Sequence, residues 1–142
     1  MSLQNIPTFF KELKGTKIVT ATPIQNGPLW GFSWADSQPW KDVRIRRALS
    51  MSVDRDTLAK VIFDPKRFED VGVKLDTFWN SPLGAGWGPF WLDPKGKDAG
   101  PGGAWMQHNV AEAKKLMTAA GFTGGKMLDF DIVYPGVKYG LD

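Results

Sequence analysis

Aromatic side chains set among glycine and proline are the residues of this chain best equipped for chemistry, and the chemistry they suit is capture. Between Val73 and Trp105 the sequence places Phe78, Trp79, Trp87, Phe90, Trp91 and Trp105 among seven glycines and four prolines. A large flat ring buries much ligand surface for little lost rotamer entropy, and long stretches of this composition exclude a regular element and tend to be functional. Trp79, Trp87, Phe90 and Trp91 are therefore the candidate ligand-lining side chains, with Trp87 and Trp91, four apart around Gly88-Pro89-Phe90, first among them. The competing reading is that the rings pin an irregular loop to its own domain, and the residues alone leave both open.

Catalysis has far less to draw on. The only histidine is His108 and cysteine is absent, so a Cys-His pair is excluded and a serine triad would have to use His108, which sits where a helix begins. No spacing joins His108 to carboxylates as metal ligands. Asp129 and Asp131 flank Phe130 on one side of an expected strand, the usual pattern of a solvent face. Gly84-Ala85-Gly86-Trp87-Gly88 has neither the preceding strand nor the following helix that a phosphate-cradling loop requires. No catalytic residue, metal site or cofactor is expected, and the chain does not read as an enzyme.

The elements that must position the aromatic stretch flank it on both sides. Upstream, Pro39 to Phe63 reads as two tandem helices, with Asp42 and Asp54 placed to accept from the free N–H groups of each first turn. Val43, Ala48, Leu49 and Met51 supply an apolar stripe for the first, and Leu58, Val61 and Ile62 one for the second. Arg44 and Arg47 share a helix face while Arg46 points elsewhere. Downstream, His108 to Phe122 reads as one helix: Asn109 is the N-cap, Glu112 closes a capping box, and Gly121 is the left-handed stop. Ala113, Leu116, Met117 and Ala120 face inward along it.

The rest of the chain suggests a sheet. Asn5 to Leu13 fits a short helix with Pro7 in its first turn and Phe9, Phe10 and Leu13 on one face, followed by Gly15. Lys17 to Thr22 and Leu29 to Trp34 read as strands around a turn at Pro23 to Pro28, and Leu128 to Tyr134 as a third. Helices packed on a small sheet are the economical arrangement of that order. Net charge is +3, from 18 basic and 15 acidic residues whose signs are interspersed, too mild a balance to imply nucleic acid. No run approaches the length of a membrane span.

Two blocks carry a resemblance to a known family. The order proline, aromatic, Lys41-Asp42-Val43-Arg44, then Arg46, Ala48-Leu49-Ser50, Asp54-Arg55 and Leu58 resembles the signature stretch of the family-5 extracellular solute-binding proteins. The asparagine, Ala113-Lys114-Lys115-Leu116 and Ala120-Gly121-Phe122 of the downstream helix are similar to a second block of that family, in the family's order. The resemblance implies a receptor that hands peptides, nickel or other small solutes to a bacterial ABC importer, capturing them between two lobes that close on a hinge. It implies an α/β fold, with residues 1–142 forming a single partial domain: part of one lobe of a type II periplasmic-binding fold, a small mixed sheet flanked by helices with a long irregular aromatic loop. The expected partners are a peptide or similar small solute and a membrane ABC permease, and the expected location is periplasmic or extracellular, with no signal peptide in the first residues. A lobe cut short would leave an open sheet edge through which copies self-associate. The alternatives are a solute-sensing lobe of a transcription regulator, and a small carbohydrate- or aromatic-binding module that uses exposed tryptophans.

Overall fold

Local capping decides where the helices of this chain begin. The computed structural model describes residues 5–15, 17, 31–33, 35, 37–81 and 83–131. Among them are six α-helices: α1 (Ile6–Glu12), α2 (Val43–Ser52), α3 (Arg55–Phe63), α4 (Pro65–Glu69), α5 (Gly100–Ala104) and α6 (Val110–Ala119). Short 3-10 turns occur at Pro39–Lys41, Ala85–Phe90 and Lys97–Ala99. Asp42 Oδ1 accepts the Arg44 N–H at 2.8 Å, Asp54 Oδ1 accepts the Thr57 N–H at 3.0 Å, and Asn109 Oδ1 accepts the Glu112 N–H at 3.0 Å. Pro7 occupies the first turn of α1, where its missing N–H costs nothing. Asp64 adopts the left-handed region at φ 42°, ending α3 and admitting Pro65 at the start of α4.

The core is a helix pair. α2 packs against α6, burying Ala48, Met51 and Ala113, with Trp105, Leu116 and Met117 closing around them. Facing alanines let the two backbones approach, and the Asn109 N–H donates to the Met51 carbonyl at 2.9 Å, locking the start of α6 to the end of α2. Arg44 Nη1 donates to the Ala119 carbonyl at 2.5 Å, holding the opposite end. Gly121, at φ 91°, lets the Phe122 N–H reach the Met117 carbonyl at 3.0 Å, completing the stop. Phe68 of α4 is buried separately, and the Val73 N–H returns to its carbonyl.

The structure corrects several expectations. The small mixed sheet does not form: the described residues contain no strand. Lys17, residues 31–33 and residues 128–131 belong to the three expected strands and lie in irregular backbone, while the remainder of those strands falls outside the described residues. β-branched composition makes a strand only where a neighbour takes up its ladder hydrogen bonds, and no such neighbour pairs with the described residues of these segments. No open sheet edge is present among the described residues. In α2 the buried face runs through Ile45, Ala48 and Met51, so Ala48 and Met51 of the expected stripe are buried, whereas Val43 is exposed and Ile45 takes its place; two positions turn a helix by about 200°. The α3 stripe of Leu58, Val61 and Ile62 is exposed, with Val61 at 74%. Only half of the capping box at α6 exists. Glu112 Oε2 meets Lys115 Nζ at 3.1 Å, and the Asn109 N–H it would have accepted is held by Met51. The aromatic stretch, expected to lack any regular element, contains both later 3-10 turns and α5.

Candidate functional site

Short helical turns fold the aromatic stretch back on itself and leave an apolar groove of 440 Å³ between them. Its walls include Leu83, Phe90, Leu92, Pro94 and Met106, and its floor includes Gly102 and Gly103. Gly103 is buried, and a Cβ there would lie 2.8 Å from the Ala99 Cβ and 3.0 Å from the Pro94 carbonyl oxygen, so only glycine lets α5 sit against Pro94. Gln107 Nε2 bridges the same elements, donating to Pro94 O at 2.9 Å and Gly103 O at 3.2 Å. Gly88, at φ 56°, makes the bend before Pro89 that sets Phe90 on the groove's edge, 71% exposed.

The four sequence-derived candidates divide. Phe90 lines the groove; Trp79, Trp87 and Trp91 do not. Trp79 is half-buried: its Nε1 donates to Asp56 Oδ1 at 2.8 Å, and Lys95 Nζ lies 4.4 Å from its ring centroid. Trp91 Nε1 donates to the Trp79 carbonyl at 3.1 Å, and Phe78 meets the Trp91 ring edge-on at 5.7 Å. Both rings pin the stretch to its surroundings. Trp87 is 47% exposed.

Sequence reasoning passed over the polar residues beside the groove. Arg55 Nη1 donates to Ser50 O at 2.8 Å and Met106 O at 2.7 Å, its Nη2 donates to Ser50 Oγ at 2.8 Å, and burial lowers its pKa. Lys95 Nζ donates to both oxygens of Asp56, at 2.6 and 2.9 Å, and this contact, seconded by the Trp79 indole, holds the Asp56 carboxyl below its ordinary value. Asp54 is likewise lowered, first by the Thr57 N–H it caps and then by the Thr57 hydroxyl. The sequence signalled Asp54-Arg55-Asp56 as a helix start, but partners 23 to 51 residues away leave no local trace.

The remaining groups do not assemble into a reactive centre. His108 Nδ1 lies 3.8 Å from Asp54 Oδ2, both groups largely exposed. Asp129 and Asp131 are exposed on irregular backbone. Among the described residues no three histidine or carboxylate groups converge on a metal-sized space. Arg47 lies over Trp105 at 4.3 Å, while Arg46 Nη1 donates to the Trp40 carbonyl. Trp40, the aromatic of the upstream block, gathers Phe32 at 5.9 Å and Phe130 at 5.7 Å around one ring. Arg44, Arg46 and Arg47 are thus all engaged in intramolecular contacts.

The glycine-rich aromatic stretch thus walls an apolar groove that Arg55 ties to the end of α2, a concave surface of the kind that takes up small molecules. The model of the bacterial extracellular solute-binding proteins, family 5, middle region, matches residues 1–139, and the chain belongs to that family. It is 30% identical over 139 residues to the probable deoxycholate-binding periplasmic protein YgiS of Escherichia coli (strain K12), an alignment covering 97% of this chain. The chain spans 22% of that relative's length. No solved structure matches it. No described helix is long and apolar enough to cross a membrane.

Proposed function

We propose that this chain is part of the substrate-binding component of an ABC importer, acting in the periplasm or outside the cell and passing its solute to a membrane permease. The observation that carries the reading is the family match along nearly the whole chain. The role is reversible capture without catalysis, the solute enclosed as two lobes close. Peptides or a similar small solute remain the first proposed cargo, with Trp79, Trp87, Phe90 and Trp91 as proposed contributors to its site. Of these, Phe90 has direct support from its place on the groove.

A second cargo is favoured by one observation. The groove walls are apolar, and an amphipathic molecule with a broad apolar face would bury that face there. The Escherichia coli relative, named as a probable deoxycholate-binding protein, points the same way. Native mass spectrometry of the full-length protein, purified without refolding, tests both. Adducts spaced by amino-acid residue masses establish peptide capture, a single mass matching a sterol-like or other amphipathic acid establishes the amphipath, and any other single mass replaces both cargoes. Tight solute binding by the isolated 142 residues with none by the full-length protein would overturn the receptor reading in favour of an aromatic-binding module.

A further inference from the structure

Consecutive residues at the start of α3 hold three separate walls of the groove. Asp56 Oδ1 accepts from Trp79 Nε1, two positions before Ser81 on the groove's lining, and from Lys95 Nζ, the neighbour of Pro94. Arg55 Nη1 donates to the carbonyl of Met106, itself a wall residue, and to Ser50 at the end of α2. The Arg55 Cζ and the Lys95 Nζ lie 5.8 and 4.4 Å from the same Trp79 ring. Among the described residues no backbone-to-backbone hydrogen bond joins one wall segment to another; those of this stretch close local turns. Side chains must therefore set the spacing of the walls. Arg55 and Asp56 share that work with the Trp91 and Gln107 hydrogen bonds and the Phe78–Trp91 ring contact.

We propose that Arg55 and Asp56 form a clasp that positions the groove for its solute, an inference that rests on the solute-binding reading above. The chemistry is specific to these side chains. A guanidinium is planar and forked, so Nη1 bridges the Ser50 and Met106 carbonyls while Nη2 takes the Ser50 hydroxyl, a set of three acceptors that a single ammonium nitrogen cannot meet with the same geometry. A carboxylate accepts from an indole N–H and an ammonium together and fixes the distance between residues 79 and 95. Neither residue is on the groove's lining, so both act through the walls they hold.

The test uses the full-length protein and the variants Arg55→Lys and Asp56→Asn. Each conserves size, and asparagine keeps an acceptor for Trp79 while dropping the charge that holds Lys95. Hydrogen exchange is read over residues 79–106 and over α6, and the adduct carried through native purification is weighed on the same samples. Both variants are expected to speed exchange across 79–106 with α6 unchanged, and to lower adduct occupancy about threefold to tenfold. Raising wild type to about 0.5 M salt is expected to reproduce part of the Asp56→Asn effect, because the Lys95 pair is half exposed. Unchanged exchange, loosening spread equally to α6, or faster exchange with undiminished adduct would each overturn the clasp. A wild type that carries no adduct overturns the solute-binding reading and the positioning role with it, whereas unaffected variants of an adduct-carrying wild type overturn the clasp alone.

Discussion

At the scale of single residues, Asn109 separates the two halves of a cap. Its side chain accepts from Glu112 N–H while its own N–H reaches Met51, so it serves both helix and packing. Asn109→Ala is expected to cost about 1 kcal/mol in urea denaturation, and Glu112→Ala about a tenth of a kcal/mol to a few tenths, since its carboxylate pairs only with exposed Lys115. Equal losses would mean that the reciprocal cap forms in solution. Asp56 carries a sign that can be checked. Its folded pKa is lowered, chiefly by Lys95, so its stabilisation is full above the unfolded aspartate value near ~4 and is lost as pH falls through the lower folded value. Carboxyl titration by NMR is expected to place its midpoint below that of an aspartate in an unstructured peptide, with Lys95→Met restoring most of the difference; a midpoint at or above the peptide value would remove the ion pair. The caps at Asp42, Asp54 and Asn109 were legible in the sequence because a cap acts within three residues. What Arg55 and Asp56 do was not, because their partners are distant in the chain.

Among the elements, α2 and α6 meet through small side chains, and that contact tolerates little added volume. Ala113 is 5% exposed and faces Ala48 and Met51, so Ala113→Leu is expected to destabilise by about 1–3 kcal/mol through overpacking, while Ala111→Leu on the exposed side of α6 is near neutral. Similar denaturation midpoints for the two variants would contradict the α2–α6 interface. Helix periodicity made this pair readable, since apolar residues three and four apart must share a face. The phase of α2 was misread at one end because Val43 and Ile45 are both β-branched and only packing distinguishes them. The strands were misread for a different reason: a helix satisfies its backbone internally, whereas a strand depends on a partner that its own residues do not name. Nor could α5 be foreseen from Gly100-Pro101-Gly102-Gly103, whose propensity is poor; contact with Pro94, open only to glycine at position 103, holds it in place.

For the molecule as a whole, the balance of buried and exposed apolar surface sets an expectation that also discriminates between functions. Besides Pro7 and Pro94, the buried apolar side chains among the described residues are Ile45, Ala48, Met51, Phe68 and Ala113, while Leu58, Val61, Ile62 and Phe63 stand exposed along α3. A self-sufficient domain of this length buries roughly two thirds of its unfolded surface and unfolds in one steep transition. With so few side chains of the described residues withdrawn from water, the 142 residues by themselves are expected to unfold over a broad urea range, with a slope below the roughly 1–3 kcal/mol/M of small two-state proteins, and to bind a fluorescent apolar dye before they do. They are also expected to carry no solute adduct through native purification, whereas the full-length protein carries one, because capture between lobes needs both walls of the cleft. A steep transition for the isolated residues, together with adduct retention equal to that of the full-length protein, would instead make the groove of Leu83, Phe90 and Met106 sufficient by itself. Binding would then be a property of the aromatic stretch, and the lobes would serve only to present it.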